Sequence, residues 1–99
     1  MSQTLNNPYE FWRAKSFKNQ FEKLPKKQQK AAKKTFKNIF SIDPFDSRLG
    51  THKINRLSAR YKTTVWSATI EGNLKVVFFI EGNKVWSFGI GTHAIYDQG

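Results

Sequence analysis

The sequence has 99 residues and carries 17 Lys and Arg against 7 Asp and Glu, a formal net charge of +10. A chain of this length is expected to form one small domain spanning residues 1–99. Aromatic residues make up 15% of it and can supply a core. The absence of cysteine excludes disulfides, thiolate metal ligands and thiol catalysis. No run approaches the ~18 apolar residues of a membrane helix. The first residues, MSQTLNNPYEFW, lack the pattern of a secretory signal, so a cytoplasmic protein is expected.

The strong positive charge bears on the kind of partner. A small, very basic chain attracts polyanions, which include nucleic acid, an acidic membrane surface and an acidic protein. Its lysines are interleaved with aromatic and polar loop residues. That mixture favours nucleic acid over a role in solubility alone.

Two short elements are predicted at the start of the chain. Residues 9–14, YEFWRA, follow a proline and favour a short edge strand, with a helix as the alternative. Ser16 suits the N-cap of a helix. Phe17, Phe21 and Leu24 then recur at helical spacing and give this helix one apolar stripe.

A second helix is predicted over residues 26–40, KKQQKAAKKTFKNIF. Pro25 ends the first helix and suits the first turn of the next. The lysines of the run lie mostly away from one apolar face, which consists of Ala32, Phe36, Ile39 and Phe40. The two helices should therefore form a hairpin with a basic outer side, a pattern more typical of a solvated face than of a catalytic one.

The middle of the chain is predicted to be mostly irregular. Asp43-Pro44 ends the second helix, because the residue before a proline avoids helical geometry. Residues 45–50 favour a loop, and residues 51–57, THKINRL, favour a short strand. Arg60 is expected in a loop before the first long strand.

Three alternating apolar runs follow: VWSATI at 65–70, LKVVFFI at 74–80 and VWSFGI at 85–90. Each is joined to the next by Glu-Gly-Asn, a good hairpin signal. The middle run is apolar on both faces and should lie at the centre of an antiparallel meander, with Trp66 and Trp86 in the core. The predicted fold class is α+β, an N-terminal helical hairpin packed on a small antiparallel sheet.

Four stretches, in their order and spacing, resemble the RelE/ParE superfamily of bacterial toxins: LPKKQQKAAKK, LGTHKINRL, VWSATIEGNLKVVFFIEGN and IGTHAIY. The resemblance extends over about residues 17–96. It implies the toxin of a type II toxin–antitoxin system with a RelE-like fold. Members similar to RelE cut mRNA in the ribosomal A site, whereas members similar to ParE poison DNA gyrase. Both are silenced by an antitoxin whose tail wraps the toxin.

Metal-independent RNA cleavage requires removal of the 2′-hydroxyl proton, stabilisation of negative charge and protonation of the leaving oxygen. His93 is the first candidate for proton transfer and His52 the second. Tyr96 is a candidate for bonding the phosphate, transferring a proton or stacking on a base. Lys75 stands where many family members carry Arg, so a bidentate phosphate clamp becomes a point charge. Candidate RNA-binding residues are Lys53, Arg56 and Arg60.

Each of these residues has a structural alternative, and three functions stay open. His93 also fits a structural or surface histidine, and Tyr96 fits an aromatic that closes the core. The chain shows no metal-ligand spacing and no phosphate-binding glycine loop, so neither a metal nor a cofactor is expected. The candidates are an mRNA endonuclease acting with the ribosome, a toxin that binds DNA gyrase, and a basic nucleic-acid-binding module without chemistry. An acidic antitoxin is the expected protein partner of a toxin.

Overall fold

The computed structural model describes residues 9–92 and residue 95. The strands are β1 Glu10–Arg13, β2 His52–Lys53, β3 Val65–Glu71, β4 Leu74–Glu81 and β5 Lys84–Gly91. The helices are α1 Lys15–Glu22, α2 Lys26–Thr35 and α3 Asn55–Tyr61. The sheet order is β1-β5-β4-β3-β2, with β1 parallel to β5 and the other pairs antiparallel. The α+β class, the helical hairpin, the edge strand at β1 and the meander are confirmed, and β1 makes the sheet mixed.

Strand β4 lies at the centre of the sheet and is covered on both faces, as its apolar pattern predicted. Phe78 is 0% exposed and packs beneath the helical hairpin. Val77 is buried on the opposite face with Leu57 and Ile95. Apolar burial of this kind is the main stabilising contribution to a domain of this size, so β4 anchors the fold.

The helical hairpin covers one face of the sheet through the predicted apolar stripes. Phe17, Ala32 and Phe40 are buried there, and the Phe40 ring lies edge-on to Phe78 with 5.2 Å between ring centroids. The second helix changes to one π-helical turn, Phe36–Phe40, before the chain leaves it. The lysines of α2 consequently remain on the solvent side of the hairpin, as predicted.

Both predicted Glu-Gly-Asn turns are present. Gly72 and Gly82 have φ values of +54° and +63°. This region is accessible to glycine at little cost, whereas other residues are strained there. The two glycines therefore set the tight reversals that bring β3, β4 and β5 into register.

Helix α1 takes over from β1 at the edge of β5. The Ser16 hydroxyl donates to the Phe88 carbonyl at 2.7 Å, and the Ile90 amide donates to Gln20 Oε1 at 2.9 Å. The prediction that Ser16 is an N-cap is wrong, since Ala14 occupies the N-cap position. Ser16 is the second residue of α1, and its hydroxyl bonds the Phe88 carbonyl of β5 instead of capping the helix.

Replacing Gln20 with leucine is expected to lower the free energy of unfolding by about 1–3 kcal/mol, because the part-buried Ile90 amide loses its acceptor. Urea unfolding measures this change. Asn19→Leu, at an exposed position of the same helix, is the matched control. Equal stability of the two variants would show that Gln20 does not hold the end of β5.

The predicted strand over residues 51–57 is wrong beyond its first half. Only His52–Lys53 pairs as a strand, and helix α3 begins at Asn55. The helix forms because Leu57 is buried against Val65 and Val77 on the face opposite the hairpin. The Ser58 hydroxyl also accepts from the Val65 amide at 2.8 Å, which ties the helix to β3. Arg60 accordingly lies in α3 and not in a loop.

Candidate nucleic-acid interface

Lys75 occupies a fixed position at one end of the sheet. It pairs with Thr69 of β3 on one side and with Gly91 of β5 on the other. Its Nζ donates to Thr69 Oγ1 at 2.7 Å, and the side chain is half-buried. An ammonium group has three N–H donors, so two remain for a ligand. Among the described residues, no carboxylate forms an ion pair with Lys75.

The end of β5 lies beside this ammonium group. Gly91 is the register partner of Lys75. A Cβ at Gly91 would lie 2.6 Å from Cγ2 of Ile95, so only glycine allows this approach. Ile95 is 6% exposed and packs with Leu57 and Val77. Gly91 and Ile95, which precede and follow position 93 in the sequence, therefore both contact β4.

His93, the first candidate for proton transfer, and Tyr96 lie outside the described residues. Their sequence neighbours Gly91, Thr92 and Ile95 are described. The Ile95 amide donates to the Thr92 carbonyl at 3.0 Å.

His52 lies on the short edge strand β2, away from Lys75. It pairs with Ser67, is exposed, and places Nδ1 3.1 Å from the Gly50 carbonyl oxygen. Two strand spacings and two residues along the sheet separate the Cα atoms of His52 and Lys75 by about 12 Å. Strand β5 lies one spacing further, so the structure does not bring His52 to Gly91.

The three candidate RNA-binding residues lie on consecutive elements. Lys53 is on β2, and Arg56 and Arg60 are four residues apart on α3, which places them on the same side of that helix. All three are exposed. They add positive charge next to the sheet face that carries Lys75.

The two aspartates of residues 43–50 accept hydrogen bonds from residues close to them in the sequence. Asp46 accepts from the Arg48 side chain at 2.9 Å, and that hydrogen bond is the main reason why the pKa of Asp46 is lowered to about 2. The pair is exposed and screened by water. It neutralises Arg48 and leaves the Lys75 end of the sheet unaffected.

The described residues give no indication of a metal site or a membrane span. In residues 9–92 and 95, no three His, Asp or Glu side chains lie close enough together to hold a metal ion. None of the helices in that part of the chain is long and apolar enough to cross a membrane.

Comparison with known proteins gives a match at the level of structure only. No protein-family model and no curated protein sequence matches the chain. A chain of the archaeal RelE–RelB complex from Pyrococcus horikoshii superposes with a TM-score of 0.64 at 13% identity, covering 86% of this chain and 94% of its own. A chain of the toxin–antitoxin complex RelBE2 from Mycobacterium tuberculosis gives a TM-score of 0.67 at 18% identity, with coverages of 87% and 99%.

A copper-bound mutant toxin from Helicobacter pylori is similar to the same degree, with a TM-score of 0.64 at 16% identity and coverages of 88% and 97%. The chain has a RelE-like fold. At these identities the match concerns the fold, and it confirms the fold expected from the sequence resemblance.

Within this RelE-like fold, the structure adds residues that the sequence did not indicate. Thr69 orients Lys75, and Ser16 and Gln20 fix the last residues of β5. The hydrogen bonds of Ser16 and Gln20 join positions about 70 residues apart, so no local sequence pattern predicts them. Thr69 was not predictable from the turn, because a regular hairpin at Gly72 would place Ile70 opposite Lys75. The register shift between Thr69 and Glu71 brings Thr69 there instead.

Proposed function

We propose that this chain is the toxin of a type II toxin–antitoxin system and that it cleaves mRNA in the ribosomal A site. The observation that carries the proposal is the Lys75 ammonium group, which is oriented by Thr69, has no acidic partner among the described residues and lies beside the end of β5. A cation held in this way is suited to a phosphate whose negative charge grows during reaction. The RelE-like fold supports the same conclusion.

The proposed reaction is attack of the ribose 2′-hydroxyl on the adjacent phosphate. The bond from phosphorus to the 5′-oxygen breaks, and a 2′,3′-cyclic phosphate and a 5′-hydroxyl result. Lys75 stabilises the charge on the phosphate oxygens. We assign proton transfer to His93 and Tyr96, which are close in sequence to Gly91, the register partner of Lys75. The Cα atoms of His52 and Lys75 are about 12 Å apart by strand spacing. His52 then contributes to RNA binding together with Lys53, Arg56 and Arg60.

The proposed protein partner is an acidic antitoxin. An apolar groove of ≈ 390 Å³ lies between β1 and the hairpin, with Phe11 and Phe36 in its wall. Lys33, Lys37 and Arg13 also line it. An amphipathic segment with acidic residues would match both the apolar wall and the cations. An mRNA-cleaving toxin of this kind would act in the cytoplasm, where translation takes place.

The test uses purified protein with translating ribosomes, and primer extension maps the cuts. We expect cuts in the A-site codon and a loss of about 100-fold or more in rate for His93→Ala, the usual contribution of a general acid or base. His52→Ala is the matched histidine variant: it should weaken RNA binding and retain most of the cleavage rate at saturating protein concentration. Intact mRNA in the presence of folded wild-type protein would contradict the proposal.

Binding to DNA gyrase is the second candidate, and the specific observation that favours it is lysine in place of arginine at position 75. A single ammonium group is a weaker phosphate clamp than a guanidinium. This function predicts trapped DNA cleavage complexes without RNA cutting. A basic binding module without chemistry predicts salt-sensitive binding to nucleic acid and neither effect.

A further inference from the structure

The sheet face opposite the hairpin carries a continuous row of aromatic rings. We define the aromatic row as Trp12, Trp86, Phe79, Phe88 and Tyr61. Trp86 is stacked between its two neighbours, with ring centroids 5.3 Å from Trp12 and 6.4 Å from Phe79 and interplanar angles of 25° and 17°. Phe88 continues the row at 5.8 Å from Phe79, and Tyr61 ends it at 5.3 Å from Phe88.

The two ends of the aromatic row are open to solvent. Trp12 is 43% exposed and Tyr61 is 45% exposed, and the three rings between them are half-buried or better covered. Single exposed aromatic residues are common on protein surfaces, whereas a contiguous set is typical of a binding surface. The sequence pattern predicted that Trp86 lies in the core. The structure places it in the aromatic row instead, outside both buried clusters.

The position of Trp86 has an energetic cost. Its Nε1 is buried and has no hydrogen-bond partner in the part of the chain that the structure describes. A buried indole N–H usually finds an acceptor, and leaving it unpaired is unfavourable. Optimal packing alone does not explain a ring held in the row at such a cost.

Two adjoining cavities connect the aromatic row to the candidate site. The larger, ≈ 540 Å³, is lined by Phe79, Phe88 and Tyr61, and the smaller, ≈ 190 Å³, shares Phe88 and Tyr61 with it. The smaller cavity extends to Ile95, which touches the backbone of Gly91 beside Lys75. One groove thus leads from the aromatic rings to the proposed cleavage site.

Charge decides which occupant fits this groove. Lys84 lies over the Trp12 ring at 5.8 Å from its centroid, and Arg60 and Lys62 flank Tyr61 in the sequence. Glu81 is the one carboxylate among the described residues that line the two cavities, and Glu10 and Glu81 are the register partners of Lys84. A second copy of a chain with a net charge of +10 would be repelled. The occupant should carry flat apolar groups and negative charge together, which describes single-stranded RNA.

We propose that the aromatic row is a platform on whose exposed end rings, Trp12 and Tyr61, bases of single-stranded RNA stack on one side of the cut. The assignment rests on the proposed RNA-cleaving function. Phe79 lies four residues along β4 from Lys75, a distance of about 13 Å. The platform therefore holds bases outside the reacting pair of nucleotides. Because every base has a stacking face, it contributes to binding without selecting a sequence.

The test compares binding of a 2′-O-methyl uridine octamer, which cannot be cleaved, with that of an abasic strand of the same length and charge. We expect the full-length protein to bind the uridine strand about tenfold more tightly or better, as stacking of one base or more implies. Trp12→Leu and Tyr61→Leu should bring this ratio close to one. Phe45→Leu should leave it unchanged, because Phe45 is an exposed aromatic on the opposite face.

Equal binding of the two strands by the wild type would overturn the platform without any variant. If RNA is cleaved but the strands bind equally, the platform is wrong and the proposed function stands. If the base-dependent ratio is present without cleavage, the platform is supported and the cleavage assignment fails. Variants that keep the ratio but lose binding to an acidic protein partner would show a protein-docking surface instead. Circular dichroism confirms that each variant is folded.

Discussion

Replacing Lys75 with glutamine is expected to slow RNA cleavage about 100-fold, the effect of removing one group that stabilises charge in a transition state. Glutamine is nearly as long as lysine and still donates a hydrogen bond to Thr69, so the change removes charge more than shape. Single-turnover cleavage of RNA in the presence of ribosomes measures the chemical step directly. Lys75→Arg should retain activity or raise it, because guanidinium binds phosphate in a bidentate manner.

The matched control is Lys33→Gln, which removes one positive charge from the exposed side of α2. Its effect on cleavage should be less than about threefold and should weaken with added salt, as expected for long-range attraction. If Lys75→Gln behaves like Lys33→Gln, the ammonium group at the end of the sheet has no part in the reaction.

Replacing Phe78 with alanine is expected to lower the free energy of unfolding by about 3–5 kcal/mol, the range for a buried phenylalanine. Phe78 is 0% exposed at the centre of β4, and its ring contacts Phe40 of the hairpin and Phe45 of the following loop. A domain of this size has a stability of about 5–15 kcal/mol in total. The variant should therefore lose a large fraction of its stability.

Urea unfolding followed by circular dichroism measures this change. Ile42→Ala, at a position 62% exposed, is the control and should change stability by about 0.5 kcal/mol or less. A loss below about 1 kcal/mol for Phe78→Ala would contradict the view that β4 anchors the two layers.

The regular part of the fold was predictable because its signals are local. The alternation of β3, β4 and β5, their Gly-Asn turns and the apolar stripes of α1 and α2 all lie within short windows. The centre of the sheet followed from the two-sided apolar pattern of β4 alone. In these elements the local conformational preference and the burial of apolar side chains favour the same structure, so tertiary contacts do not change it.

The errors occur where distant contacts decide the local conformation. Residues 55–61 form a helix because Leu57 is buried against β3 and β4, although the alternation of residues 52–55 predicts a strand over residues 51–57. The Ser16 hydroxyl donates to the Phe88 carbonyl of β5 instead of capping α1. The parallel register of Trp12 with Trp86, on which the aromatic row depends, joins positions 74 residues apart.

The candidate site was predicted in part. The sequence and the family resemblance singled out Lys75, and the structure adds its bond to Thr69 and its place beside Gly91. The sequence left open how far His52 lies from the other candidates. Because β2 is the edge strand, the Cα atoms of His52 and Lys75 are about 12 Å apart. The roles of His93 and Tyr96 stay predictions.

The most direct test of the central claim is tightly repressed expression in a bacterial host, with mRNA 5′ ends mapped after induction. Wild type, His93→Ala and Lys75→Gln should be compared at equal protein levels. We expect growth arrest with new 5′ ends inside reading frames for the wild type, and strong loss of both in the two variants. Growth arrest without new 5′ ends would contradict RNA cleavage and direct attention to gyrase, and normal growth would contradict a toxin.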